Sequence, residues 1–329
     1  MAWSPVRRVN AGLVRVKAPG DYATLNSNQL RDGTGGELIL LNRNTQRRGS
    51  ERGSKEGTVG REPINYFDTT ETHRLRGDMQ RVNEWLAAAD ISFVGDDQHP
   101  MVRTKQRQMR RHFLLLPDQP EPRFDQSGRL FGGFWETLRK DRRKHIRIGG
   151  EKVATLDYGS MFTRLAYARL GIDAPDGDLY ALAGTDSYRS GVKMAMNCLL
   201  FDTHVRGGWP KALGVGVGDD EAAGNADTPA AKFEARLPEG WTVKRTKQAI
   251  LTRHPALAEA FGRGWGYSLM HQESVVLLAV LEELMERGIV GLGLHDGVLV
   301  PLSRAEEAQE VMSVTAWALT GASIPVSVE

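Results

Sequence analysis

The chain has 329 residues, of which 40% are hydrophobic and 26% are charged, and its formal net charge is +2. This composition predicts a soluble protein with two or three subdomains and a sizeable core. No apolar run of about 18 residues occurs, which excludes a membrane span, and the start of the sequence lacks the apolar segment of a signal peptide. The single cysteine, Cys198, excludes a disulfide framework and a multi-cysteine zinc site, so we expect a reducing, cytoplasmic location.

The first third of the chain contains few motifs. Residues 13–16 and 38–41 predict short strands, and the polar stretch 42–62, rich in Gly, Arg and Ser, predicts a mobile basic loop. Residues 70–89 predict a helix capped by Thr70 or Thr72, because apolar residues recur there at helical spacing. Residues 103–113 predict a second, basic helix that ends before a run of three prolines.

A strongly basic block spans residues 103–152, with 14 Lys/Arg against 6 Asp/Glu. It contains SGRLFGG, a glycine-bracketed turn that carries Arg129, and the cluster Arg142, Arg143, Lys144 and Arg147. Such a density of cations suits a phosphate backbone. It is also typical of a solvated surface, and the block alone leaves both interpretations open.

Asp157 follows a short apolar strand predicted at residues 153–156. The chain then turns through Tyr158, Gly159 and Ser160 and continues as an amphipathic helix with apolar residues on one face. An aspartate at a strand end, ahead of a glycine turn, is well placed to hold a metal ion. The alternative is that this carboxylate only caps the turn.

Residues 188–202 predict one helix with a polar stripe. Arg189, Lys193, Asn197 and Phe201 project from the same face at helical spacing. Two cations and an aromatic ring on one stripe are able to clamp a triphosphate and stack on its base, although a cation stripe is more often a solvated face. Residues 207–240, rich in Gly, Asp, Ala and Pro, predict a flexible insertion.

The last third predicts a helix at residues 266–288, capped by Gly288, with Val275, Leu278, Ala279 and Leu281 facing a core. A hairpin follows, with strands at 290–294 and 298–302 and with Asp296 at its tip. Two acidic residues on adjacent strands are able to hold two hard cations, as phosphoryl transfer requires.

The closing segment predicts a helix and a strand. Ser303 is expected to open the helix with Glu306 in a capping box. The helix is expected to end near Gly321, and residues 324–328 predict a final strand.

The order of motifs over residues 123–329 resembles the polymerase core of the DNA polymerase I family (family A) and, more distantly, the single-subunit phage RNA polymerases. The segments that carry the resemblance are SGRLFGG with RRKHIRI, LDYGSMFTRLA, RSGVKMAMNCLLF, MHQESVVLLAVLEEL, LHDGVLVPL and SIPVSVE. Compact prophage and mobile-element proteins are similar in layout, and the biological setting stays open.

The resemblance implies an α+β right-hand polymerase with an antiparallel-sheet palm, helical fingers, a reduced thumb and no exonuclease domain. The implied division is a basic, partly flexible region at 1–65, a thumb-like helical region at 66–122, palm at 123–171 and 266–329, and fingers at 172–265 with the insertion 207–240.

The resemblance also implies roles for the site residues. Asp157 and Asp296, with the backbone carbonyl of Tyr158, would hold two Mg²⁺ ions, or Mn²⁺. Arg189 and Lys193 would neutralise the triphosphate, Lys193 as part of the catalytic set. The implied nucleotide-binding aromatic residues are Tyr158, Phe201, which would stack at the insertion site, and Phe162, which would lie under the sugar and disfavour a 2′-hydroxyl.

Five further side chains are implied to contact primer or template, mostly through phosphate, sugar or minor-groove atoms: Arg129, Arg143, Arg164, Gln272 and His295. For Arg164 and Gln272, internal hydrogen bonding is an equal alternative. Two positions depart from the family pattern, since Asn197 replaces an aromatic residue and Gly297 replaces the acid that usually follows His-Asp.

The leading functional prediction is DNA-dependent DNA synthesis by two-metal nucleotidyl transfer, without proofreading. Its expected partners are primer-template DNA and nucleoside triphosphates, with no membrane, and the chain is expected to be a monomer. One alternative is RNA synthesis or priming on the same fold. Another is a non-catalytic module that binds nucleic acid or a partner polymerase.

Overall fold

The structure, a computed structural model, describes residues 6–9, 12–15, 36–45, 60–210, 213–215 and 235–329. Helices and sheets are mixed along the chain, which confirms the α+β class. The chain divides into two compact units. The first comprises Met1–Gly159, Met270–Leu319 and Pro325–Glu329, and the second comprises Ser160–Leu269 and Thr320–Ile324. No described helix is both long and apolar enough to cross a bilayer.

The first unit is built mainly of strands. Its strands are β1 (Val6–Val9), β2 (Gly12–Arg15), β3 (Ile39–Thr45), β4 (Gly60–Pro63), β5 (Ile91–Phe93), β6 (Arg110–Leu115), β7 (Ser127–Phe131), β8 (Ile146–Ile148), β9 (Glu151–Tyr158), β12 (Leu292–Leu294), β13 (Gly297–Pro301) and β14 (Val326–Val328), the numbers β10 and β11 belonging to the second unit. Its helices are α1 (Thr70–Ala88) and α2 (Lys140–Arg143), followed near the end of the chain by α7 (Ala305–Thr320).

A six-stranded antiparallel sheet contains both aspartates. Its strand order is β12-β13-β9-β8-β5, and β14 also pairs with β9. Along β9 the buried positions alternate, with Ala154, Leu156 and Tyr158 on the core side, because successive side chains of a strand point to opposite faces. The predicted strands at 153–156, 290–294, 298–302 and 324–328 are confirmed: the first is longer than predicted, the second and fourth are shorter, and the third is shifted by one residue.

A second sheet, of order β4-β3-β6-β7, packs one face on α1 and the segments around it. Its core contains Ile39, Leu41, Phe113 and Leu115. The strand predictions at 13–16 and 38–41 are confirmed by β2 and β3. Residues 42–45 are strand rather than loop, and residues 46–59 of the predicted basic loop lie outside the described residues.

The predicted basic helix at 103–113 is wrong, because residues 110–115 form β6 instead. This strand pairs with β3 on one side and with β7 on the other, so sheet hydrogen bonds satisfy its backbone. The preceding residues are held by Arg107, whose guanidinium donates to the carbonyls of Leu86, Ala89 and Ile91. Pairing with partners remote in sequence outweighs the helical tendency of a short basic segment.

Helix α1 is confirmed, but its cap is Thr69. The Thr69 hydroxyl accepts from the Thr72 N–H, and the Thr72 hydroxyl accepts from the Thr69 N–H, so Thr72 occupies the third helical position. The predicted capping box at Ser303 is wrong, since the Ser303 hydroxyl donates to Glu151 over 3.1 Å. The end of α7 at Thr320, just before Gly321, is confirmed.

The second unit contains the helices α3 (Met161–Arg169), α4 (Arg189–Phe201) and α5 (Val243–Arg253) and the parallel pair β10 (Leu213–Val215) and β11 (Ala235–Leu237). The long helix α6 (Trp265–Glu286) begins in this unit and continues into the first. Gly191 of α4 lies against β11, where a Cβ would be 1.7 Å from the Arg236 carbonyl oxygen. The ends of the predicted flexible insertion are therefore packed structure, and residues 216–234 lie outside the described residues.

Helix α6 is confirmed, with Gly288 at φ +67° beyond its end. Its core face agrees with the prediction at Leu278 and Leu281, which are buried, but Val275 is exposed. The unpredicted Val276, Leu277 and Val280 are buried as well. The apolar run VVLLAVL contains no polar residue to fix the phase of the helix, so the sequence pattern permits a one-residue error.

Candidate active site

Asp157 and Asp296 come together on the six-stranded sheet. Asp157 lies near the end of β9, directly opposite Gly297 of β13. The Tyr158 N–H donates to the Asp296 carbonyl oxygen over 2.9 Å, so the backbones of the two aspartates are locked in register. The sequence-based expectation that these residues meet on adjacent strands agrees with this geometry.

The tip of the hairpin is a two-residue turn, His295 and Asp296, between Leu294 and Gly297. His295 adopts φ +49°, because a two-residue hairpin requires a left-handed residue to match the strand twist. Trp135 holds the hairpin in place. It is fully buried, and its indole N–H donates to the Gly293 carbonyl over 2.9 Å.

Gly297 leaves room for the Asp157 carboxylate. A Cβ at position 297 would lie 2.1 Å from Asp157 Oδ1 and 2.5 Å from the Leu156 carbonyl oxygen. Any larger residue would therefore have to displace the Asp157 side chain. This explains physically why the acid expected after His-Asp is replaced by glycine in this chain.

The electrostatics of the pair are unfavourable in the absence of a cation. Burial raises the pKa of Asp157 above its ordinary value, and the negative charges of Asp296 and Glu329 raise it further. Lys140 and Arg143 oppose that shift, but neither forms an ion pair with Asp157, and Lys140 is paired with Glu329. Half-buried like charges of this kind are relieved by a bound cation.

Arg129 is engaged by a carboxylate that the sequence patterns did not identify. Its Nε and Nη2 donate to Glu273 Oε2 and Oε1 over 2.6 and 3.0 Å, and the Glu273 side chain is 1% exposed. Burial raises the pKa of Glu273, and the hydrogen bond from Arg129 opposes that rise. Arg129 is thus held rigidly beside the hairpin, and its contact with primer or template stays a prediction.

His295 and Arg143 lie within electrostatic reach of the carboxylates. Burial and, to a smaller extent, the positive charge of Arg129 lower the pKa of His295 to about 4, so the imidazole is neutral at pH 7. Arg143 donates from Nε to the Trp135 carbonyl over 3.2 Å. Both residues therefore occupy the Asp296 end of the sheet.

Gln272 is half-buried on α6, next to Glu273. Its side chain forms no hydrogen bond with other described residues, and its contact with primer or template stays a prediction. Tyr158 is buried, and its hydroxyl donates to the Met312 carbonyl over 2.6 Å. The carbonyl of Tyr158 as a metal ligand stays a prediction.

In the second unit, α4 presents the predicted stripe. Arg189 and Lys193 are exposed, and Asn197 and Phe201 are half-buried. Arg189 Nε and Nη2 donate to Asp178 Oδ2 and Oδ1 over 2.6 and 3.0 Å. Within the described part of the chain, Lys193 has no ion-pair partner and Asn197 Oδ1 has no hydrogen-bond donor.

Phe162 and Phe201 pack on each other. Their ring centroids are 5.6 Å apart at 75°, and Tyr267 continues the cluster at 5.1 Å from Phe201. Gly266 permits this packing, since a Cβ there would lie 2.4 Å from the Phe201 ring. The two predicted nucleotide-contacting rings thus share one half-buried surface of the second unit.

Arg164, also in the second unit, donates to the Ser323 carbonyl over 3.4 Å. Its Nε is buried and has no hydrogen-bond partner among the described residues, and burial lowers its pKa. The internal bond and the unsatisfied nitrogen are compatible with either predicted role.

The residues that fit a metal ion are the two aspartates. No three His, Cys, Asp or Glu side chains gather into a metal-binding cluster in the described ranges. Two carboxylates are nevertheless a suitable donor set for Mg²⁺, which retains several waters and takes further oxygens from substrate phosphates. The raised pKa of Asp157 is the observation that fits a cation at this point.

Sequence patterns missed several residues near the pair. Glu273 lies in the segment MHQESVVLLAVLEEL, but the sequence patterns gave it no role. A lone acidic residue on an apolar helix face is a signal that could have identified it. Glu329 and Lys140 carry no local signal, since only the fold brings them near Asp157.

No protein-family description matches this chain, and no curated protein matches its sequence. Among solved structures, the chain is similar to the POL domain of Pol1 from M. smegmatis in complex with DNA primer-template and dNTP. The sequence identity is 12%, the TM-score is 0.36, and the match covers 78% of this chain. The chain spans 50% of the length of that neighbour.

Proposed function

We propose that this protein is a nucleotidyltransferase that extends a DNA primer on a template by two-metal chemistry, without proofreading. The observation that supports this most directly is the pairing of β9 with β13, which brings Asp157 beside the turn that carries Asp296, whose negative charge adds to the effect of burial in raising the pKa of Asp157. In this proposal the six-stranded sheet is the palm, and the second unit supplies the fingers. Compared with the division given by the sequence, the proposed palm gains β5 from the segment 66–122, and α3, at residues 161–169, moves from the palm to the fingers.

The proposed roles follow from chemistry. Asp157 and Asp296 would hold Mg²⁺, or Mn²⁺, which when bound lowers the pKa of the primer 3′-hydroxyl and neutralises the leaving pyrophosphate. Arg189 and Lys193 would bind the triphosphate, and Arg189 would exchange Asp178 for phosphate oxygens. Neutral His295 would donate or accept a hydrogen bond at the primer end without adding charge.

Primer extension tests the proposal. A labelled primer on a template with a 5′ overhang is incubated with Mg²⁺ or Mn²⁺ and with dNTPs or rNTPs in separate reactions. Asp157→Asn and Asp296→Asn are expected to lose several kcal/mol of transition-state stabilisation, a hundredfold or more in rate. Asp118→Asn, at an exposed turn, is the matched control and is expected to extend normally. Normal extension by either active-site variant would show that the mechanism is wrong.

Phe162 is proposed to exclude the 2′-hydroxyl. Its packing against Phe201, in the unit that carries Arg189 and Lys193, supports this role. Comparing Phe162→Gly with wild type should show a rise in rNTP incorporation relative to dNTP. Unchanged selectivity would leave Phe162 as a packing residue only.

The alternatives are separated by the same assay. Extension with rNTPs, or synthesis without a primer, would favour RNA synthesis or priming. Duplex binding without any extension would favour a non-catalytic module. This outcome is worth testing because there is no room for a third acidic side chain at position 297.

A further inference from the structure

The sheet β4-β3-β6-β7 has two unlike faces. Its inner face packs the core, whereas strand alternation places Arg110 and His112 of β6 on the opposite face, together with Arg129 and Phe131 of β7. All four of these side chains are half-buried rather than covered. Of these four residues, the sequence motifs had assigned a role only to Arg129.

Cations and aromatic rings alternate on this outer face. The strand register sets Arg110 opposite Phe131 and His112 opposite Arg129. The rings of His112 and Phe131 are 4.9 Å apart at 62°, and Phe131 is 4.9 Å from His295 at 66°. We call His112, Phe131 and His295 the aromatic row.

The aromatic row leads to the carboxylate pair. It begins on β6, crosses β7 and ends at His295, whose neighbour in the hairpin turn is Asp296. All members of the row belong to the first unit. A ligand lying along the row would therefore arrive at the turn that carries Asp296.

The charge on this face matches a polyanion. Arg110 donates to the uncharged Gln108 over 3.1 Å and has no carboxylate partner among the described residues. The charge of Arg129 is neutralised by Glu273, so of the two arginines Arg110 carries the uncompensated positive charge. A cation beside a row of edge-to-face rings suits single-stranded nucleic acid, whose phosphates pair with arginine and whose bases stack on aromatic side chains.

We infer that the outer face of β6 and β7 binds single-stranded DNA, with bases on the aromatic row and a phosphate on Arg110. A duplex is disfavoured, since its bases are stacked on one another and offer no free face to the rings. The strand held in this way is one that has yet to pair, and it would run towards the Asp296 turn.

The test is fluorescence anisotropy with a labelled oligo-dT of about 16 nucleotides, in EDTA and without nucleotide. Phe131→Leu keeps an apolar side chain but removes the ring, and it is expected to raise Kd about fivefold or more. Arg110→Gln is expected to weaken binding and to reduce the slope of log K against log salt by about 0.7. Phe67→Leu, an exposed ring outside the row, is the control and should bind as wild type does.

Matched melting temperatures for the four proteins exclude misfolding as the cause of a change. Wild-type affinity for Phe131→Leu would overturn the inference, as would a loss of duplex binding in Phe131→Leu as large as its loss of oligo-dT binding. Binding of oligo-rU but not oligo-dT would overturn the assignment of DNA. Because the assay contains neither metal nor nucleotide, its outcome is independent of whether Asp157 and Asp296 support primer extension.

Discussion

Replacing Arg129 by methionine should expose the cost of burying Glu273. The Glu273 side chain is 1% exposed and receives two hydrogen bonds from Arg129, of 2.6 and 3.0 Å. Removing one partner of a buried ion pair typically costs about 3–5 kcal/mol. Proton uptake limits this cost, because neutralising a carboxyl of ordinary pKa about 4.3 at pH 7 requires about 3.7 kcal/mol. We therefore expect Arg129→Met to lower the free energy of unfolding by about 3 kcal/mol at pH 7.

The pH dependence gives a second measurable sign. Loss of Arg129 removes the contribution that opposes the raised pKa of Glu273, so the native variant binds a proton more readily than the unfolded chain does. Its deficit relative to wild type should therefore shrink as the pH falls from 7 towards 5. Urea unfolding of Arg129→Met, Glu273→Gln and the double variant measures the coupling. A deficit below about 1 kcal/mol that does not vary with pH would refute the buried-pair reasoning.

Three further outcomes follow from the site. Gly297→Ala should cost about 1–3 kcal/mol in urea unfolding, because its Cβ would lie 2.1 Å from Asp157 Oδ1, whereas Gly95→Ala, with open space around it, should be neutral. Trp135→Phe should cost about 1–3 kcal/mol, since it strands the Gly293 carbonyl, and wild-type stability would contradict that bond. Free Mg²⁺ at about ten times its Kd should raise the free energy of unfolding of wild type by about 1.4 kcal/mol, but not that of Asp157→Asn. Because the metal binds the ionised carboxylate, this gain should decrease as the pH falls through the raised pKa of Asp157. An equal gain in both proteins would exclude this site.

The pairing of the two aspartates was predictable because each carries its own local signal. Asp157 ends an apolar strand before a glycine turn, and Asp296 stands between two apolar runs that are too short to be anything but a hairpin. Local signals of this kind determine where a residue lies on its strand. Only the choice of strand partner is non-local. Because β9 pairs with β13, the end of β9 and the hairpin turn lie side by side, and this brings the two aspartates together.

The four-stranded sheet was not predictable for the opposite reason. β6 reads as a basic helix because its arginines give no alternation, and one of them, Arg111, is buried at 1% exposure. The guanidinium of Arg111 is satisfied by the Gly128 carbonyl and the Ser274 hydroxyl, which lie far away in sequence. A buried arginine without a local partner breaks the rule that charged residues mark the surface, so the strand pattern is hidden.

The carboxylate pair is hard to explain as a purely structural feature. Among the described residues neither Asp157 nor Asp296 has an ion-pair partner, and each raises the electrostatic energy of burying the other. A capping aspartate gains hydrogen bonds from backbone N–H groups, whereas here the Tyr158 N–H is given to the Asp296 carbonyl and not to a carboxylate. The fold thus maintains an arrangement that costs stability, and it reserves the space above Gly297 for it. An unfavourable pair of carboxylates of this kind is expected at a functional site, where a bound cation makes the electrostatic energy favourable. The proposed chemistry supplies such a cation.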